Sequence, residues 1–233
     1  MHMRKAWIVG IITLLLGCIT PNLYAREEVD SSVLEKRLIR SEESFQNINM
    51  SHSSGPIPSG IVQKAQGILI FRQYGGGFFF GGKGGYGVVI ARQRDGHWGS
   101  PAFLKSIDGS WGLQIGGQRV DMVLFFMSRE SLQVFERGKF RIGVDMGAAA
   151  GPVGAKGEGK VGAPVLVYAN NAGLYIGVAF EGGILIPDKM ANESLYHITD
   201  ITVPNIITEG RVPFPQAAAG LRGMLENYER SGN

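Results

Sequence analysis

"YGGGFFFGGKGGYGVVIAR", Tyr74 to Arg92, carries two overlapping nucleotide-binding patterns and satisfies neither. Gly82, Gly84 and Gly87 have the spacing of a dinucleotide-binding G-x-G-x-x-G, while Gly77, Gly82 and Lys83 match most of a phosphate-binding G-x-x-x-x-G-K. The first pattern works only where its glycines join a strand to a helix whose N-terminus faces a pyrophosphate. Here Gly87 runs straight into "VVIARQRDG", a strand and then a turn. The second fails because Gly84 stands where a serine or threonine would bind magnesium, and Phe78, Phe79 and Phe80 fill backbone that should wrap phosphate. "GAKGEGK", Gly154 to Lys160, lacks the hydroxyl as well, since Val161 follows it. No nucleotide and no cofactor is expected. What remains is a strand pair whose glycines mark curvature, bulges or close backbone approach.

The same texture continues on both sides of this stretch. From Gly67 to about Gly183, short β-branched and aromatic runs alternate with glycines: "GILIFRQ", "GFFFGGK", "GYGVVIARQR", "PAFLKSI", "GLQIGGQRVDMVLFFM", "KFRIGVDMGAAAG", "APVLVYANN" and "GLYIGVAFEGG". Glycine accounts for 35 of 233 residues, yet the interleaved aromatic and β-branched side chains set the chain apart from a disordered low-complexity segment. Asp95-Gly96 and Asp108-Gly109 have the composition of hairpin turns, and "SRESLQVFERG" suits a short helix. The strand spacing predicts an α+β fold: a strongly curved or barrel-like antiparallel sheet with an N-terminal and a C-terminal helix packed on it.

Residues 27 to 49 predict the first of those helices, with Leu34, Leu38, Phe45 and Ile48 at helical spacing and Lys36, Arg37 and Arg40 nearby. It either packs on the body with its charges solvated or lies on a membrane surface. "MSHSSGPIPSG" breaks the pattern, and Ser59 caps a short helix running through Gln66. At the other end Pro215 opens the helix of "PQAAAGLRGMLENYER", with Leu221 and Leu225 on its buried side.

Residues 1–25 have the layout of an export signal, Arg4 and Lys5 preceding "AWIVGIITLLLGCIT", which is short for a bilayer span. Two processing routes fit: cleavage after Ala25, or lipidation at Cys18, where "LLGC" resembles a bacterial lipobox. Cys18 is the only cysteine, so no intrachain disulfide forms, and residues 26–233 are expected to be one domain held by its core. The formal charge of +3 falls when Arg4 and Lys5 are removed, leaving 21 basic against 20 acidic residues. Such a balance argues against nucleic acid, which calls for a clustered basic face.

Catalytic patterns are missing from the sequence: there is no G-x-S-x-G, S-x-x-K or H-E-x-x-H, and no mature cysteine to serve as a thiolate or metal ligand. His52, His97 and His197 are dispersed, and the spacing of Asp108, Asp121, Asp145 and Glu181 gives no reason to pair them, so turn, cap and surface roles are expected. The phenylalanine triplet has two readings. A buried strand hides all three rings, or an exposed edge inserts them into lipid for on the order of 5 kcal/mol, with Lys83 beside an anionic headgroup.

In order, "IPSGIVQKAQGILIF", "GFFFGGKGGYGVVIAR", "WGSPAFLK", "GLQIGGQRVDMVLFF", "GKFRIGVDMGAAAGPVGA" and "YANNAGLYIGVAFEGG" resemble the segments of the SYLF domain family, over nearly the whole mature chain. The resemblance implies a non-catalytic module that binds membrane phospholipids, anionic or phosphoinositide, through the N-terminal amphipathic region with Lys36, Arg37 and Arg40. It implies actin binding only by analogy with eukaryotic members. Lys83 and Lys156 stand where many members have arginine, which keeps the charge and loses bidentate phosphate geometry. An exported protein of this kind is expected in the periplasm or at the outer membrane. The alternative is an envelope scaffolding protein with a protein partner; an outer-membrane barrel fits less well, with helical segments at both ends and the polar terminus "ERSGN".

Overall fold

The structure, a computed structural model, describes residues 28–51, 56–77, 81–110, 118–141, 145–146, 148–150, 163–169 and 184–231. The export segment with Cys18, His52, the phenylalanine triplet, Lys156, "GLYIGVAFEGG" and Glu181 lie outside the described residues.

The sheet is centred on the glycine-rich stretch. Strands β1 (Gly67–Gly77) and β2 (Gly81–Ala91) pair antiparallel from Gly67 opposite Ala91 to Gly77 opposite Gly81. Further strands are β3 (Ala102–Ser110), β4 (Gln118–Phe126), β5 (Phe140–Arg141), β6 (Ala148–Ala150), β7 (Val165–Ala169) and β8 (Ile184–Pro187). Their order is β5-β8-β3-β2-β1-β4-β7-β6, antiparallel throughout except for the β6–β7 pair. The sheet curls into a half-barrel, as the strand spacing predicts.

Both faces of the sheet are covered, which is why its central strands are apolar at successive positions instead of alternating with polar ones. Ile68, Ile70, Val88, Ile90, Val123 and Phe125 share one core with helix α1 (Ser31–Ser51), helix α2 (Ser59–Lys64) and the C-terminal helix. Their neighbours Leu69, Phe71, Val89, Met122, Leu124 and Phe126 share the other core with a 3-10 turn, Glu130–Arg137. Leu34, Leu38, Phe45 and Ile48 are all buried, so α1 packs on the body.

Three α-helices follow β8 among the described residues: α3 (Lys189–Tyr196), α4 (Val203–Ile207) and, after a 3-10 turn at Gln216–Ala218, α5 (Ala219–Arg230), the last carrying buried Leu221 and Leu225. Sequence reading missed β8, α3 and α4, which are only four, eight and five residues long. Their signals are local. Thr202 caps α4 by accepting from the Asn205 amide at 3.3 Å, and the Asn205 side chain accepts from the Thr202 amide in return. Asn192 of α3 accepts from the Phe103 N–H at 2.7 Å and donates to the Phe103 carbonyl at 3.0 Å, standing in for a strand neighbour at the end of β3.

Two expectations need correction. Ser59 does not cap α2: it is the helix's first residue, Pro58 stands at the N-cap, and no side-chain cap bond forms. Asp108-Gly109 is not a turn: both residues lie within β3, opposite Lys83 and Gly82, because the β2–β3 ladder runs through them. Asp95-Gly96 does turn, with Gly96 at φ 86° and Arg92 bridged to Trp98. "SRESLQVFERG" is helical, in the 3-10 form.

Candidate functional site

Helix α1 does not cover the whole of its sheet face. Beyond the Ile70–Val88–Val123 level the strands present Asp121 (β4), Arg72 (β1), Tyr86 (β2) and Lys105 (β3) as successive cross-strand neighbours. The next level holds Arg119, Tyr74 and then Gly84. Farther out β1 and β2 consist of glycine apart from Lys83, which is in register with Gly75 and Asp108. Under the edge of the helix the sheet therefore passes from apolar core to a charged and aromatic row, beyond which the sequence of β1 and β2 is mostly glycine.

Arg72 and Asp121 form the buried centre of that row. Arg72 Nε donates to Asp121 Oδ1 at 2.6 Å, and Ser44 of α1 donates to the same oxygen at 3.0 Å. Burial opposes the charge on Arg72, but the hydrogen bond and charge of Asp121 outweigh it and raise the guanidinium pKa further. Glu43 and Arg119 stand at the rim, 3.9 Å from Arg72 and 3.6 Å from Asp121. The expectation that Asp121 serves a turn, cap or surface role is thus overturned. A charged residue within an otherwise apolar strand, in both "GILIFRQ" and "RVDMVLFF", is the sequence signal that could have revealed the pair.

The three cationic residues expected on α1 divide by role. Arg37 is half-buried: its Nη1 donates to Asp188 Oδ2 at 2.6 Å, and its guanidinium lies 5.6 Å from the Tyr86 ring centroid. Lys105 approaches the other Asp188 oxygen at 3.6 Å. Lys36 and Arg40 are exposed. Arg40 Nη1 reaches the Tyr86 hydroxyl at 3.4 Å, which raises the arginine pKa. Tyr86 in turn lies 3.4 Å, oxygen to oxygen, from Tyr74, whose side chain is exposed. Burial, followed by that contact, raises the Tyr86 phenol, so it stays neutral. Cations outnumber carboxylates five to three among Arg37, Arg40, Arg72, Lys105, Arg119, Glu43, Asp121 and Asp188.

Val33 and Ile39 are also exposed on α1, alternating with Lys36 and Arg40. The outer edge thus sets Lys36 and Arg40 beside apolar groups, with Glu35 and Glu43 exposed on the same helix. Among the described residues no group of three or more potential ligands is placed to hold a metal, and no helix is long and apolar enough to cross a membrane.

Residues 107–228 match the model of the Ysc84 family, described as Las17-binding protein actin regulator. The chain is similar to SH3 domain-containing protein PJ696.02 of Schizosaccharomyces pombe, 34% identical over 73% of this chain and 41% of that protein. It is similar to Protein YSC84 of Saccharomyces cerevisiae, 32% identical over 73% of this chain and 38% of that protein. It also resembles SH3 domain-containing YSC84-like protein 1 of Homo sapiens, 32% identical over 76% of this chain and 54% of that protein. The chain therefore spans about two fifths to one half of the length of these relatives. No solved structure matches it.

Proposed function

The chain belongs to the Ysc84 family, whose domain is also called SYLF, and on that premise we propose that it is a non-catalytic module binding anionic membrane phospholipid. One observation carries the reading: Lys36 and Arg40 stand exposed on the outer edge of α1, between exposed Val33 and Ile39 and beside Tyr74. An edge that joins cations to apolar side chains suits a headgroup–acyl boundary, where each contact is weak and several add up. Arg37 contributes field from a held position, because Asp188 engages its Nη1. We assign residues 26–233 to the module and residues 1–25 to export towards the periplasm or outer membrane, with Cys18 as the lipidation site if the lipobox route is used.

The test is vesicle co-sedimentation of the full chain with phosphatidylcholine and phosphatidylglycerol vesicles, comparing the native protein with Lys36→Glu/Arg40→Glu. The apolar leader is common to both proteins and cancels in the comparison. Expected is an excess on phosphatidylglycerol that the double variant loses and that added salt weakens. Equal partition of the native protein onto both vesicles, or an excess unchanged in the double variant, overturns the proposal.

A second reading, a scaffold that engages a protein partner, is favoured by the family description as Las17-binding actin regulators. Actin enters for this chain by that analogy alone. Stoichiometric recovery of one protein by the immobilised chain, with indifferent vesicles, would select it.

A further inference from the structure

We infer that α1 meets the bilayer while still docked, as one edge of the folded body, and does not lift off to insert its inner face. The inference rests on the phospholipid reading above and concerns how the same surface works. An amphipathic helix that inserts alone has an inner face with nothing else to bury it; here that face is committed along its full length.

Four polar tethers hold it, each to a different place. Ahead of the helix, the Val29 amide donates to Ser194 Oγ of α3 at 2.9 Å. In its second turn Arg37 holds Asp188 at the entrance to α3. At its middle Ser44 reaches Asp121, itself paired with Arg72. Near its end Asn49 Oδ1 accepts from the Ile57 amide at 3.0 Å and from the Tyr228 hydroxyl of α5 at 2.6 Å. Between the tethers Leu34, Leu38, Phe45 and Ile48 fill the core shared with Ile68, Ile70, Val88 and Phe125.

Lifting the helix would return its own apolar face to lipid but leave the sheet's matching face in water, so the exchange recovers only half of what it breaks. The Arg72–Asp121 pair, 5% and 0% exposed, would lose Ser44 and its cover together. The outer edge needs no such exchange: Val33, Lys36, Ile39 and Arg40 are already at the surface.

The test locks the helix. A Cβ on Gly220 of α5 would lie 2.6 Å from Glu42 Oε1, so Glu42→Cys/Gly220→Cys in a Cys18→Ser background places one thiol on each side of the α1–α5 contact. Disulfide formation is verified by mass, and partition onto phosphatidylglycerol vesicles is compared for the oxidised and reduced forms of the same full chain. As an independent arm, Leu38→Ala loosens docking without touching the outer edge. A helix that must undock would bind more tightly once docking is weakened, because the two equilibria are linked. Expected is oxidised binding within about threefold of reduced and Leu38→Ala no tighter than native by the same margin. A larger loss on oxidation, or tighter binding by Leu38→Ala, overturns the docked mode and leaves the phospholipid reading standing. If Lys36→Glu/Arg40→Glu binds as well as native, the phospholipid reading itself falls and the docked mode with it.

Discussion

Arg72 and Asp121 face each other across the β1–β4 ladder, Nε to Oδ1 2.6 Å, with the carboxylate wholly buried and helix α1 bonded to it through Ser44. One ion pair thus ties two adjacent strands, β1 and β4, to the helix carrying the candidate binding edge. Removing either partner leaves an uncompensated buried charge. Asp121→Ala is expected to cost about 3–5 kcal/mol in chemical denaturation. The apolar double variant Arg72→Met/Asp121→Leu, which removes both charges, should recover most of that loss. Equal stability of the single and double variants would show that packing, not charge, dominates at this position.

Gly85 is a place of close approach. A Cβ there would lie 2.6 Å from the Arg72 carbonyl oxygen and 2.6 Å from Phe71 Cζ, and the backbone oxygen cannot give way as a side chain can. Gly85→Ala is expected to destabilise by about 1–3 kcal/mol. Gly223, in the middle of α5, has nothing within 4 Å of its Cβ position. Gly223→Ala should stabilise by about 0.5–1 kcal/mol through helix propensity. Thermal unfolding of the two variants reads the difference in sign.

Asn192 pairs with both backbone groups of Phe103 in a buried setting. Alanine there leaves the Phe103 N–H without a partner and its carbonyl with the Asp188 amide alone, at 3.0 Å, and a loss of about 1–3 kcal/mol is expected in denaturant unfolding. Asn192→Asp keeps the acceptor but sets a carboxylate against the Phe103 carbonyl. It should be less stable than native at neutral pH, with the deficit shrinking in acid as the carboxyl protonates.

Glu42 lies against α5, where burial and then the charge of Glu43 raise its pKa above 4.5. The folded protein therefore holds that proton more tightly than the unfolded chain. Stability contributed by the protonated form is present below the ordinary carboxyl pKa and declines as pH rises through the folded value. Glu42→Gln should flatten the stability profile over that interval and raise neutral-pH stability slightly. A profile parallel to native throughout would remove Glu42 from the account.

Much of the architecture was legible in advance because its causes are local. The four apolar residues of α1 recur at helical spacing, and all four are buried. β1 and β2 were recognised from β-branched runs broken by glycine, and the nucleotide patterns failed on context: Gly87 does continue into strand, with no helix behind it. The Asp108-Gly109 expectation failed for the opposite reason. Its turn composition is genuine, but the ladder with Gly82 and Lys83 extends β3 across it, and tertiary pairing overrides a dipeptide preference.

The candidate edge was half legible. Lys36, Arg37 and Arg40 stand out together in the sequence as cations on one helix, but charge in a sequence carries no information about which partner the fold supplies. Asp188, 151 positions from Arg37, takes that arginine into a half-buried pair and leaves Lys36 and Arg40 at the surface. The Tyr74–Tyr86 contact and the Arg72–Asp121 pair depend on strand register, which is a property of the sheet and not of either strand alone.

By itself the sequence determined the family, the α+β class and the two terminal helices, since periodicity, glycine placement and ordered segments are written along the chain. Only the tertiary structure decided which charges are spent inside the fold and which face outward. That choice depends on burial and on partners far away in sequence, and it converts three similar cations on α1 into one structural clamp and two surface groups.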